Sequence, residues 1–152
     1  NSRIISEGVV IEIKVAQKSD FAVVFPLIKS LWHYRCFNET ETRAVFDGIV
    51  SDKNAFAFIA LKDGNCAGFC HGTFFKTLWM CGETCYLSGL IVHEAYRRQG
   101  IGTFLLEKAK AESQRRGAKA IILESAISRK IAHAFYEAQG FEKSCFGFEF
   151  PL

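Results

Sequence analysis

Apolar positions along the chain fall into short runs that alternate between two spacings, one fitting strands and one fitting helices. Val9–Val15 alternates as a strand. Ser19 offers a helix N-cap, and Phe21, Val24, Phe25, Leu27, Ile28, Leu31 and Trp32 trace the apolar stripe of an amphipathic helix, interrupted near its middle by Pro26. A shorter helix is expected from Glu39 to Val50, with Asn38 as cap and Val45, Phe46 and Ile49 inward. Asn54–Leu61 reads as a strand, Lys62-Asp63-Gly64-Asn65 as a hairpin turn and Cys66–Phe75 as the returning strand. A connection over Lys76–Glu83 leads to a central strand, Tyr86–Val92. From Ile101 the spacing turns helical and stops at Gly117. Ala118–Ser125 is a further buried strand, which the intervening helix makes parallel to the central one. Ser128–Gln139 forms the last helix, followed by Phe141–Cys145 and Phe146–Phe150 as a closing hairpin.

The junction after the central strand carries the chemistry. Strand passes to helix through Arg97-Arg98-Gln99-Gly100-Ile101-Gly102. The first N–H groups of a helix lack internal acceptors, the helix dipole adds positive potential, and glycines let a phosphate approach the backbone. Two adjacent arginines supply full charges. The junction therefore reads as an anion site suited to a pyrophosphate. A Walker loop needs GxxxxGK with Ser or Thr after it, and the dinucleotide fingerprint needs a third glycine; neither fits. The pattern [QR]xxGx[GA] does, through Arg97, Gly100 and Gly102.

With LIVHEAYRRQGIGTFLLEKA and a second block, RKIAHAFYEAQGF at Arg129–Phe141, the chain resembles the GNAT family of acyl-CoA-dependent N-acyltransferases. The resemblance spans nearly the whole chain. It implies an α/β architecture: a mixed central sheet of about six or seven strands flanked by about four helices, splayed between the fourth and fifth strands, Tyr86–Val92 and Ala118–Ser125. Residues 1–152 are then a single N-acetyltransferase domain. Acetyl-CoA is the implied acyl donor. Its pyrophosphate is assigned to Arg97, Arg98, Gln99, Gly100, Ile101, Gly102 and Thr103, and its pantetheine arm to the backbone of Leu90, Ile91 and Val92. Where the family carries an asparagine seven residues before its tyrosine this chain has Arg129, so that contact is lost or moved to Ser128.

Acyl transfer to an amine needs a proton acceptor, an oxyanion donor and an acid for the departing thiolate. Tyr136 matches the family tyrosine and is the candidate acid; a backbone N–H near Val92 is the candidate oxyanion donor. Glu124 is the leading candidate base, with Glu83, Ser88, His93 and His133 as competitors. Trp32, His33, Tyr34 and Phe37, beside the first helix, together with Glu83 and Ser88, are candidate acceptor contacts. Acidic residues Glu39, Glu41, Asp47, Glu83 and Glu124 suit a cationic acceptor. The acceptor itself stays open between aminoglycoside-type antibiotics and amino acid or peptide amines, and a non-catalytic acyl-CoA-binding module is the alternative to an enzyme.

Composition agrees with a packed domain: 152 residues, 49 % apolar and 14 % aromatic with fifteen Phe. The net charge of +3 is too mild to argue for nucleic acid, and no nucleic-acid partner is expected. No apolar run reaches transmembrane length and no secretory pattern opens the chain, so a cytoplasmic protein without a membrane partner is expected. Six cysteines then read as reduced thiols, with no metal site. Dimers occur in the family, so a homodimer is one expectation, with the oligomeric state left open.

Overall fold

A computed structural model describes residues 2–6 and 9–152. They fall into two compact units, the first ending at Ile122 and the second running Leu123–Leu152.

The first unit is built on a six-stranded sheet in the order β1 Ser2–Ser6, β2 Val9–Val15, β3 Ala55–Lys62, β4 Asn65–Thr77, β5 Gly82–Val92 and β6 Ala120–Ile122. Every pairing is antiparallel except β5 with β6, which is parallel as the crossover helix requires. Helices α1 Phe21–Leu31 and α2 Glu39–Ser51 cover one face. There Phe21, Phe25, Leu31 and Phe46 pack on Ala57, Ile59, Phe69 and Ile91. Helix α3, Ile101–Arg115, covers the other face, with Ile101 and Leu105 against Gly68. The second unit contains α4, Lys130–Ala138.

Local chemistry explains the departures from expectation. Ser19 is not the cap of α1: Lys18–Asp20 forms a 3-10 turn, and Asp20 stands at the N-cap, its carboxylate accepting from the Gln17 N–H at 2.8 Å and the Lys14 ammonium at 2.6 Å. Pro26 does not interrupt α1; it and Ala22, whose carbonyl it cannot bond, both lie on the exposed side. In α2 Asn38 caps as expected, accepting from Glu41 N–H at 3.0 Å, but Val45 is 63 % exposed because the inward stripe is Thr42, Phe46, Ile49 and Val50. The Lys62–Asn65 turn forms with Asp63 and Gly64 both at positive φ, the geometry of a tight hairpin.

The expected connection Lys76–Glu83 is mostly ladder. Thr77 pairs with Gly82, Lys76 stands opposite Glu83, and the buried hydroxyls of Thr77 and Thr84 bond at 2.7 Å, so polar strand ends are satisfied across the hairpin. The strand expected at Ala118–Ser125 is only Ala120–Ile122, and the closing hairpin over 141–150 is not formed: no strand lies there.

Candidate active site

The β5–β6 ladder joins Thr84–Tyr86 to Ala120–Ile122 and stops. Two residues later β5 carries a bulge: His71 faces Gly89 and Gly72 faces Leu87, leaving Ser88 as the extra residue. From Leu87 to Val92 the edge of β5 turned away from β4 has no strand partner among the described residues. Leu90, Ile91 and Val92 lie on this open edge, paired on their other side with Cys70, Phe69 and Gly68. The pairing of the two strands thus ends at Tyr86 and Ile122, and the resemblance implied that these strands part.

Where β5 ends, the chain is pinned at several points. His93 Nδ1 accepts from the Ala95 N–H at 3.1 Å, which commits that lone pair to a turn and leaves it out of base chemistry. Arg97 bends back to donate from Nε to the Val92 carbonyl at 3.3 Å. Gln99 accepts from the Lys62 ammonium, which also lies 5.6 Å from the Tyr96 ring centroid. Arg98 and Gly100 between these anchors adopt positive φ, 61° and 79°. Gly100 is the N-cap of α3 and brings no side chain to its N–H groups; the first intrahelical bond is Phe104 N–H to Gly100 C=O at 2.9 Å. A Cβ at Gly100 would meet nothing within 4 Å, so the approach to the helix start is open. An uncapped helix start, an exposed arginine and space at the glycine fit a pyrophosphate.

The candidate acceptor contacts divide. Trp32 caps the end of α1 and is half-buried, reaching over Gly89. Phe37 packs edge-on against Phe25 at 6.5 Å, whereas Tyr34 is 61 % exposed beside His33. Ser88 is the bulge residue. Glu83 sits at the opposite end of β5 from Val92, and its carboxylate accepts from Arg116 Nε at 3.0 Å. The same guanidinium donates to the Lys53 carbonyl at 2.7 Å and Asn54 Oδ1 at 3.3 Å and lies 4.2 Å from the Phe74 ring centroid. Glu83 is thus one corner of a structural cluster.

Within the second unit, Arg129 is the N-cap of α4 without a side-chain cap, and the Ser128 carbonyl accepts from Lys130 N–H at 2.9 Å. His133 Nε2 lies 3.0 Å from the Ala126 carbonyl, a tie that fixes its ring to the preceding turn. Tyr136 stacks edge-on between Phe135 and Phe141, at 5.4 and 5.7 Å. Glu124 is exposed, with Gly147 against its carboxylate: a Cβ there would lie 3.4 Å from Cδ.

One polar side chain near the open edge escaped the sequence reading. His71 on β4 is a single histidine in an apolar strand, opposite Gly89; burial pushes its pKa down to about 4, and Nδ1 is buried with no hydrogen-bond partner. The signal for it was a polar ring in the otherwise small and apolar CAGFCHG. All six cysteines are free, and burial raises the thiol pKa of Cys66, Cys70 and Cys85, which keeps them protonated and unreactive.

A mixed sheet whose central strand leads to an uncapped glycine helix start is the arrangement that the resemblance to the acyl-CoA N-acyltransferases implies. A model of the Acetyltransferase (GNAT) family matches residues 24–141. The aminoalkylphosphonate N-acetyltransferase of Salmonella typhimurium is 32 % identical over 146 residues, covering 91 % of this chain and 90 % of that protein. N-alpha-acetyltransferase 30 of Schizosaccharomyces pombe is 29 % identical over 106 residues, 68 % of this chain and 69 % of that one. The aminoglycoside N-acetyltransferase AAC(6')-Iy, solved in complex with CoA, superposes with a TM-score of 0.85 at 19 % identity, covering 98 % of this chain and 99 % of the other. The chain belongs to the GNAT family, and it is an acetyltransferase with acetyl-CoA as donor. Among the described residues no helix is long and apolar enough to cross a membrane.

Proposed function

We propose that the protein acetylates the primary amine of a small molecule, by direct attack of the amine within a ternary complex. The observation that carries this reading is the open edge of β5 running directly into the uncapped start of α3. Acetyl-CoA supplies an activated acetyl group as its thioester. The backbone N–H groups at the start of α3, with Arg98 beside them, hold the pyrophosphate; Gly100 and Gly102 keep side chains out of its way, while Arg97 and Gln99, tied to Val92 and Lys62, hold the loop in shape. Along Leu90, Ile91 and Val92 the backbone groups that turn away from β4 bind the pantetheine amides as an added strand would, the Val92 carbonyl excepted, since Arg97 already donates to it. A β5 N–H near Val92 meets the oxyanion, Tyr136 gives its phenolic proton to the leaving sulfur, and Glu124, directly or through water, takes the proton from the amine. Arg129 occupies the sequence position of the family asparagine and offers a charge to the cofactor phosphates, while the pantetheine contact is lost or passes to Ser128. The 32 % identity to a protein named for aminoalkylphosphonates favours a compact acceptor; aminoglycosides and peptide amino termini are the rival classes.

The test is thiol release from acetyl-CoA with (2-aminoethyl)phosphonate, sisomicin, spermidine, amino acids and a short peptide, against a blank without amine for the protein's own thiols. Amine-dependent turnover that collapses in Gly102→Glu, where a carboxylate enters the anion site, supports the reading. In Tyr136→Phe kcat is expected to fall by about 100-fold with the acetyl-CoA KM unchanged. Absence of turnover with every amine, while CoA still binds in calorimetry, would make the protein a binding module instead.

A further inference from the structure

On the face covered by α1 and α2, His71 follows Phe69 by two residues, so both rings point the same way; their centroids are 5.8 Å apart. Opposite stands Gly89. A Cβ at Gly89 would lie 3.4 Å from His71 Cδ2, 3.3 Å from Leu31 Cδ2 and 3.3 Å from Trp32 Cη2. Cδ2 is bonded to Nε2, so the Nε2 edge of the imidazole turns toward β5 and Nδ1 turns away. Nδ1 is the buried, unpartnered nitrogen, whereas His71 as a residue is only partly buried. Glycine at 89 lets this ring edge and the Trp32 indole converge on β5 beside the Ser88 bulge, on the stretch whose outer edge is open. An imidazole left without a protein partner on an apolar face costs stability unless something else uses it.

We propose that His71 is an acceptor-binding residue: Nε2 accepts a hydrogen bond from the substrate amine, which lies between Trp32 and the open edge of β5. The inference rests on the amine-acetyltransferase reading. A pKa near 4 makes the ring neutral at physiological pH, so it accepts an N–H without repelling an incoming ammonium. It is also too weak a base to deprotonate an alkylammonium with a pKa of about 10. His71 therefore holds the amine with its lone pair free, and the proton leaves through another group.

His71→Phe keeps a ring and removes both nitrogens; His71→Gln returns a polar atom near the Nε2 position. With the amine the wild type acetylates best, His71→Phe is expected to lower kcat/KM for that amine by about 10- to 100-fold, leave the acetyl-CoA KM within about twofold, and melt no lower than wild type. His71→Gln should recover part of the loss. Gly89→Ala, which crowds the same three side chains, should raise the amine KM without altering that for acetyl-CoA. A His71→Phe enzyme that keeps its kcat/KM within about threefold, or that loses activity only in step with its melting temperature, overturns the assignment. A wild type that turns over no amine overturns the functional reading together with this one.

Discussion

Gly68→Ala adds one methyl group where α3 meets the sheet. The new Cβ would lie 2.9 Å from Leu105 Cδ1, 3.0 Å from the Ile91 carbonyl oxygen and 3.3 Å from Ile101 Cγ2. Leu105 is fully buried and has little room to turn, and the Ile91 carbonyl is main chain in β5, so relief requires α3 to lift or the β4–β5 ladder to shift. Overpacking of this kind costs about 1–3 kcal/mol; contact with main chain puts this site near the upper end, about 2–3 kcal/mol. For a chain of this length each kcal/mol moves the midpoint by about 3 °C, so the melting temperature should fall by about 6–9 °C. Because Ile101 opens α3, lifting the helix also displaces the glycine loop, and the acetyl-CoA KM should rise by about fivefold or more. Calorimetric melting and steady-state kinetics on the same preparation read both effects. Gly48→Ala is the control: it sits in α2, a Cβ there meets nothing within 4 Å, and the exchange should stabilise by about 0.5–1 kcal/mol. A Gly68→Ala protein melting within about 2 °C of wild type with an unchanged KM would refute the claim that α3 packing sets the loop.

Three further outcomes follow from single sites. Asn38→Ala removes the side-chain acceptor for Glu41 N–H and should cost about 1 kcal/mol in urea unfolding, with no change in acetyl-CoA affinity. Arg116→Lys should cost about 2 kcal/mol, since one ammonium cannot serve Glu83, the Lys53 carbonyl, Asn54 and the Phe74 ring together; a loss under about 0.5 kcal/mol would show the cluster to be incidental. His71 has a folded pKa of about 4 against about 6.5 unfolded, so the unfolded chain takes the proton first, and stability attributable to this ring should fall by about 3 kcal/mol as pH drops from about 6.5 to 4. The slope of unfolding free energy over that window should therefore flatten in His71→Phe, and an identical slope would show the ring to be solvated.

Legibility followed whichever interaction decides an element. Helices α1–α3 have local apolar periodicity, with Asn38 to start α2 and Gly117 to stop α3, and their bounds were readable nearly to the residue; the glycine at the start of α3 was readable too, because a positive φ at Gly100 leaves a mark in the sequence. What tertiary pairing decides was not readable. The ladder continues through Lys76–Glu83 because Thr77 and Thr84 satisfy each other across it, a fact that neither segment carries alone. Phe146, Phe148 and Phe150 alternate as a strand would, yet all three are at least 83 % exposed and unpaired into a sheet, since alternation supplies propensity but no partner. His71 was invisible for a similar reason: its meaning depends on Gly89 across the ladder and Trp32 from another element.

Three of the five acidic residues that suit a cationic acceptor in the bare sequence have local duties in the fold. Glu39 and Glu41 occupy the first turn of α2, where carboxylates favour the helix dipole, and Glu83 is bound to Arg116. Asp47 differs: it lies partly buried within α2 with Oδ1 buried and without a hydrogen-bond partner. Charge committed in this way contributes little pull on a distant ammonium, which is screened over about 10 Å at ordinary salt. What the α1–α2 face of the sheet offers an amine instead is short-ranged: an uncharged imidazole edge, the Trp32 indole and a strand edge with outward hydrogen-bonding groups. Such a surface discriminates by fit and by a single N–H contact, and because its imidazole is uncharged it does not repel the ammonium that dominates in solution.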